Sequence, residues 1–120
     1  MKENKFKVFN EYRIYLGYGL FILLLFSYVF DFGVSYAVFK TDSLYFTTNE
    51  ANKELINFLI TGGIPYLTII SSIGALVLFP LILIKFKVKN KGDFYLDWSI
   101  FSFGAYMAST HIYGGLSWLL

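Results

Sequence analysis

The chain has 120 residues, of which 57% are hydrophobic and only 15% are charged, a balance too apolar for the surface of a small water-soluble domain. Its net charge of +2 is too small to indicate a nucleic-acid partner. There is no cysteine, which excludes disulfides, thiolate metal sites and cysteine nucleophiles. The composition therefore predicts an integral membrane protein that has the lipid bilayer as its main surroundings.

The first long apolar stretch covers about residues 14–39, which exceeds the ~20 residues that a transmembrane helix needs. Asp31 is the only charged side chain in this stretch. Because a charge in hydrocarbon is costly, Asp31 is a candidate functional residue. Ser27 and Ser35 lie four residues before and after it, so the three residues form a polar stripe that should face the interior of a bundle. For the serines alone, close helix packing is the simpler explanation.

A polar connection follows the first span and contains a short amphipathic segment at about residues 48–61. Thr47 and Glu50 have the spacing of a capping box, with Thr47 as the N-cap. The apolar residues of the segment share one face, which predicts a helix lying on the membrane surface or dipping into it. Gly62 and Gly63 then end this helix.

Two further apolar stretches, at about residues 64–86 and 94–120, are long enough to cross a bilayer. Backbone groups in lipid must pair within their own segment, so we expect helices in all three stretches. Pro80 predicts a kink late in the second span. The predicted fold is an all-α membrane protein, a single domain over residues 1–120, with three transmembrane helices and the amphipathic helix between the first and second.

The placement of basic residues predicts the orientation. They are concentrated in the segment before the first span and in the connection between the second and third spans: Lys2, Lys5, Lys7, Arg13, Lys85, Lys87, Lys89 and Lys91. With three spans these two segments lie on one side, and the positive-inside rule assigns that side to the cytoplasm. We therefore expect a multi-pass protein of the cell membrane with a cytoplasmic N-terminus and with Leu120 outside.

The third span has one smooth face, formed by Gly104, Ala108, His111 and Gly115 at a spacing of four, three and four residues. Small residues at this spacing suit the close approach of another helix, so Gly104, Ala108 and Gly115 are predicted helix-packing residues. For the lone His111, a packed histidine with a hydrogen-bonded neighbour is the simpler alternative to a metal ligand or a proton carrier.

The predicted spans place Asp31 and His111 at similar depths, about 8 Å and about 6 Å outward of the bilayer centre at a rise of ~1.5 Å per residue. Glu50 and Asn52 are tethered to the same side. Asp31, Ser35, Glu50, Asn52 and His111 are therefore the candidate polar cluster, and Asp31, Glu50 and His111 are the ligand set if a metal binds at all. The structural alternative is an inter-helix hydrogen bond that holds the amphipathic segment on the bundle.

Part of this pattern resembles a family of small prokaryotic membrane domains of unknown function. In this chain Asp31 is followed four residues later by Ser35, and Glu50-Ala51-Asn52 precedes the second span. The family has an aspartate followed four residues later by threonine, and then a Glu-Ala-Asn-Pro segment. Serine stands here for the threonine and lysine for the proline. The resemblance covers the first two spans and implies three or more helices and a shared polar cluster, without an activity.

The chain has no glycine-rich phosphate loop, no H-E-x-x-H and no G-x-S-x-G sequence, so we expect no cofactor. The expected function is non-enzymatic association, as an accessory subunit of a membrane complex or as a homo-oligomer. The alternative is a small transporter or a cation- or proton-binding protein that uses Asp31, Glu50 and His111. A lipid-acting intramembrane enzyme is a third hypothesis, which requires those three groups within ~10 Å of one another.

Overall fold

The computed structural model describes residues 6–120. Every regular element in this part of the chain is a helix, and none is a strand. The predicted all-α class is therefore confirmed. Lys2 and Lys5, which contribute to the predicted cytoplasmic segment, lie outside the described residues. The elements are α1 (Lys7–Thr41), α2 (Ser43–Asn49), α3 (Lys53–Thr61), α4 (Tyr66–Ile73), a π-helical turn (Gly74–Leu78), α5 (Phe79–Lys85) and α6 (Lys91–Leu119).

α1 is the central helix, and the other long segments pack along it in opposite directions. α6 runs parallel to α1, since Phe9 contacts Trp98 near one end (ring centroids 6.1 Å apart) and Asp31 contacts His111 towards the other. The segment from α4 to α5 runs antiparallel, because the start of α1 lies against the end of α5 at Gly17. α2 and α3 connect α1 to α4 at one end of the bundle.

The bundle is elongated, with extents of 67 × 28 × 17 Å. Its two ends carry different polar residues, and we name them accordingly. The lysine end contains the start of α1, the end of α5, the start of α6 and the residues Lys85, Lys87, Lys89 and Lys91. The histidine end contains Asp31, His111 and the turn between α2 and α3.

The core follows α1, where Leu20, Leu24 and Tyr28 are buried against the π-helical turn, α5 and α6. The smooth face of α6 packs here as well. A Cβ added at Gly104 would lie 2.8 Å from a methyl group of Leu20, and one added at Gly115 would lie 2.5 Å from the ring of Phe30. The small residues of α6 therefore let it approach α1 of the same chain, which covers this face.

Two segments, Lys7–Thr41 and Tyr66–Lys85, are long and apolar enough to cross a membrane. Only 22% and 17% of the residues in their most apolar windows are buried within the chain, much less than in the core helix of a soluble protein. The predicted count of three such helices is not matched. α6 has the length, but its serine, threonine, tyrosine and glycine residues leave it less apolar than the other two.

The predicted amphipathic helix at about residues 48–61 is shorter than expected, because this range contains the last two residues of α2, a turn and the whole of α3, and the expected capping box is wrong. Asp42 is the N-cap of α2 and Asn52 is the N-cap of α3, each accepting a hydrogen bond from the backbone N–H three residues later. Thr47 lies inside α2 and its hydroxyl donates to the carbonyl of Leu44. α3 ends as predicted, with Gly62 in the left-handed conformation at φ 75°.

The sequence predicts a kink at Pro80, and the structure has a π-helical turn, Gly74–Leu78, directly before α5, the helix that contains this residue. The N–H of Phe79 donates to the carbonyl of Gly74, five residues earlier, instead of the usual four. Proline has no N–H, and its ring would clash with the carbonyl four residues back in a regular α-helix. The wider turn avoids this clash and lets the helical segment continue to Lys85.

Candidate functional site

The candidate site is a contact between Asp31 of α1 and His111 of α6. The imidazole Nδ1 lies 2.6 Å from the carboxylate Oδ2, and the side chains are 19% and 24% exposed, in the order aspartate and histidine. A distance this short is typical of a charge-assisted hydrogen bond, in which Nδ1–H donates to the carboxylate. It is the only ion pair within residues 6–120.

Three neighbours shape the surroundings of the pair. The ring of Tyr28 lies 4.1 Å from the imidazole, centroid to centroid, and the ring of Phe32 lies 6.1 Å from it. A Cβ added at Gly114 would lie 3.1 Å from Oδ1 of Asp31, tighter than an ordinary contact. Gly114 therefore lets the carboxylate approach α6. The sequence interpretation did not include Tyr28 or Gly114, although both follow from helical spacing around Asp31 and His111.

Two other members of the predicted polar cluster, Glu50 and Asn52, make their hydrogen bonds elsewhere. Glu50 accepts from the backbone N–H of Asn52 at 2.9 Å, and the amide of Asn52 donates to the hydroxyl of Thr68 at 3.1 Å. These bonds attach the turn between α2 and α3 to α4. Ser35 is buried one helical turn after Asp31.

The predicted metal set is not assembled either. Across residues 6–120 no three side chains of histidine, aspartate or glutamate come together in a group that could hold a metal ion. The structure therefore brings together two of the three groups, Asp31 and His111, that the cation and lipid-enzyme hypotheses require. Glu50 remains with Asn52 in the turn between α2 and α3.

An apolar cavity of about 430 Å³ lies between α1, α3 and α4, beside the pair. Phe32 lines this cavity and also packs near the imidazole of His111. The only hydroxyl groups on the cavity wall are those of Tyr36, Thr68 and Ser72. An apolar group in the cavity would therefore contact the same aromatic ring that covers His111.

A second set of polar contacts at the lysine end was not predicted. The side chain of Asn10 makes two hydrogen bonds of 2.8 Å, accepting from the N–H and donating to the carbonyl of Val88. The guanidinium of Arg13, only 3% exposed, donates to the carbonyls of Leu83 and Ile84. A cation at these carbonyls complements the negative end of the α5 dipole. The one sequence signal was that Asn10 and Arg13 lie three residues apart on one helix face.

No protein-family model matches the chain, and no curated protein or solved structure matches it. The resemblance to small prokaryotic membrane domains, carried by Asp31, Ser35 and the Glu50-Ala51-Asn52 segment, therefore stays a prediction. The contacts within the chain itself are what bear on its function.

Proposed function

We propose that the protein is a three-span membrane protein whose Asp31–His111 pair binds and releases a proton. The single observation that carries the proposal is the 2.6 Å contact between Nδ1 of His111 and Oδ2 of Asp31. A lone carboxylate inside hydrocarbon is costly, and a protonated imidazole beside it makes the pair neutral overall. Histidine is also the side chain that normally changes charge near neutral pH. One proton therefore decides whether the pair is neutral or negative.

The packing of α6 supports its assignment as a third span. α6 follows α1 in parallel from the contact of Phe9 with Trp98 to that of Asp31 with His111, so the two helices occupy the same depth. If α1 crosses a bilayer, α6 crosses beside it. The lysine end is then cytoplasmic by the positive-inside rule, and the Asp31–His111 pair lies in the outer half of the bilayer.

A proton is the favoured ligand of the pair over a metal cation. Protein zinc sites use three or four side-chain ligands, whereas residues 6–120 bring only two candidate side chains together at this place. The two side chains are also 19% and 24% exposed at the surface of the chain, so the pair is not sealed inside the protein. The proposed role is therefore proton binding, as part of transport or of a response to external pH.

The experiment follows His111 by NMR in lipid vesicles, because it is the only histidine of the chain and gives one set of imidazole signals. Binding of the proposed proton should change the imidazole signals of His111 when the vesicles are acidified. Asp31→Asn should change the Nδ1 signal, since the charged acceptor is lost. The control Asp42→Asn removes an exposed carboxylate at the N-cap of α2 and should leave the signal unchanged. A His111 signal that ignores pH, or one unaffected by Asp31→Asn, contradicts the proposal.

A second candidate function is association with another membrane subunit or a second copy, and the exposed face of α6 favours it. This hydroxyl face consists of Ser99, Ser102, Tyr106, Ser109 and Tyr113, all exposed and spaced three or four residues apart. The hydroxyls of Ser99 and Ser109 donate to carbonyls of their own helix, so these serines present small side chains to a neighbour, while the exposed rings of Tyr106 and Tyr113 offer it contact area.

Mass measurement in mild detergent tests this second candidate. The double variant Ser102→Leu/Ser109→Leu should convert an assembly to the monomer by preventing close approach of a helix. The control Ser71→Leu changes an exposed serine of α4, on another helix, and should leave the assembly intact. A wild-type protein that is strictly monomeric and without a partner excludes the association function.

A further inference from the structure

A groove of about 670 Å³ lies at the lysine end, between the end of α5, the connection after it and the start of α6. Its wall carries both signs of charge and an apolar part: Lys85, Lys87, Lys89, Asp93, Asp97, Ile82, Phe86 and Leu96. Oδ2 of Asp93 already accepts a hydrogen bond from the backbone N–H of Lys89. The groove is separate from the Asp31–His111 pair, which lies towards the other end of α1. None of its lining residues takes part in the function proposed above.

Asp97 is the unusual member of this wall. It is only 4% exposed, and its Oδ2 is buried without a hydrogen-bond partner. Arg13 is close enough to act on Asp97 electrostatically, but its two hydrogen bonds go to the carbonyls of Leu83 and Ile84, and its Nε is itself buried without a hydrogen-bond partner, so it does not donate to Asp97. Buried carboxylate oxygens are nearly always hydrogen-bonded, so a donor is missing here. A ligand with an N–H group is the natural donor for this oxygen.

The lysines supply the complementary charge. Lys85, Lys87 and Lys89 are exposed, and within residues 6–120 none of them forms an ion pair with a carboxylate. Ammonium groups in this position attract phosphate. A purely anionic ligand would be repelled by Asp97, whereas a ligand with both a phosphate and an ammonium group satisfies both parts of the wall.

The apolar part of the wall can contact the portion of a ligand beyond its headgroup. Phe86 and Leu96 are 66% and 56% exposed. Beside a charged groove these side chains offer an apolar surface to the glycerol backbone and the first methylene groups of a lipid. In the membrane placement proposed above, on which this inference rests, the groove lies at the cytoplasmic interface, where phospholipid headgroups are found.

We propose that this groove binds the headgroup of an amine-bearing phospholipid of the phosphatidylethanolamine class. The phosphate lies at the lysines, and the ammonium group donates a hydrogen bond to Asp97. A choline headgroup carries the same charges, but its quaternary ammonium has no N–H to donate. The groove therefore prefers ethanolamine over choline lipids, and Asp97 is the residue that determines the preference.

The test titrates the full chain, in lipid-free detergent, with phosphatidylethanolamine, phosphatidylcholine and phosphatidylglycerol, and counts bound lipid by native mass spectrometry. Wild type should bind the ethanolamine lipid about tenfold more tightly than the choline lipid, the expected effect of one hydrogen bond to a charged group. Asp97→Asn should lower that ratio several-fold without weakening the choline lipid, because a neutral amide oxygen accepts a weaker hydrogen bond from an ammonium group than a carboxylate does. Equal binding of the two lipids by wild type, or an unchanged ratio in Asp97→Asn, overturns the proposal.

The remaining arms identify the source of the phosphate and protect the test against misfolding. Glycerophosphoethanolamine and inorganic phosphate are titrated in parallel, and either one binding as tightly as the lipid overturns the lipid assignment. Lys87→Gln should weaken all three phospholipids several-fold, whereas Lys91→Gln, outside the groove wall, should not. If Asp97→Asn does not fold, the ratio in wild type and the contrast between these lysine variants decide the result.

Different results would reject the lipid-binding proposal and the proton-binding proposal. Asp97→Asn should leave the His111 signals and their pH response unchanged, because Asp97 belongs to the other end of the bundle. A normal His111 response without a lipid preference rejects this inference alone. A chain that does not float with lipid vesicles rejects the membrane placement, and with it both proposals.

Discussion

The two ends of the bundle are held together by different kinds of hydrogen bond. At the lysine end, side chains of α1 bind backbone groups: Asn10 binds Val88, and Arg13 binds the last carbonyls of α5. At the histidine end, the contact between α1 and α6 is a pair of side chains, Asp31 and His111.

This difference indicates which end contains contacts that a change of pH can affect. Backbone amides and carbonyls do not gain or lose protons near neutral pH, and arginine stays charged, so the contacts of the lysine end persist across that range. The contact between Asp31 and His111 instead joins two ionisable side chains. The contacts of the lysine end therefore suit the anchoring of the helices, and the proposed proton binding belongs to the histidine end.

The largest effect is expected from Arg13→Ala, which tests the anchoring role of the lysine end. Removing the guanidinium leaves two carbonyls of α5 and the buried Asp97 without their cation, which should destabilise the fold by about 3 kcal/mol or more. Denaturation in detergent measures the loss. The control Lys7→Ala removes an exposed cation near the start of the same helix and should change stability little. A loss below about 1 kcal/mol for Arg13→Ala would show that this end is not anchored as described.

An intermediate effect is expected from Gly115→Ala, which tests the close approach of α6 to α1 at the histidine end. The new methyl group would lie 2.5 Å from the ring of Phe30, so the helices must separate, at a cost of roughly 1–3 kcal/mol. Gly33→Ala is the matched control, since it adds the same group to α1 with no atom within 4 Å. The control should stabilise the helix by up to about 1 kcal/mol. Denaturation measures the change in stability of each variant. If Gly115→Ala and Gly33→Ala both stabilise or both destabilise the protein, the close packing of α6 on α1 is contradicted.

The smallest effect is expected from Asn52→Ala, which tests whether the turn between α2 and α3 is independent of the Asp31–His111 pair. Loss of the N-cap should destabilise α3 locally by about 1 kcal/mol and speed hydrogen exchange at Leu55, whose N–H it accepts. The NMR signals of His111 should not move. A shift of those signals would show that the turn affects the Asp31–His111 pair, as the larger polar cluster predicted from the sequence requires.

The candidate site was partly accessible from the sequence. Asp31 stands out because a carboxylate in a long apolar run is costly, and span counting places His111 at a similar depth. Glu50 and Asn52 were grouped with them because they are tethered to the same side. Residues on the same side of the membrane need not be in contact. Glu50 and Asn52 instead make hydrogen bonds that attach the turn between α2 and α3 to α4.

The helix boundaries between α1 and α4 were less accessible, and for a definable reason. Asp42, Thr47 and Asn52 are all good N-cap residues, so the local sequence permits several starts. The choice is made by packing: Phe46, fully buried against Phe39 and Trp118, requires α2 to fold back over the bundle. A helix that contained Phe46 had to begin before Thr47.

The helical class, the two most apolar helical segments and the choice of Asp31 as a candidate residue all follow from the sequence, since each rests on apolar length or on the cost of a charge in an apolar run. The contact partners depend on the tertiary structure. Asn10 and Arg13 bind backbone groups 70 to 78 residues away, and backbone acceptors have no signature in a sequence. Likewise, the sequence allows the glycine face of α6 to pack on any helix. In the structure this face packs on α1, because α6 lies parallel to α1 with His111 beside Asp31.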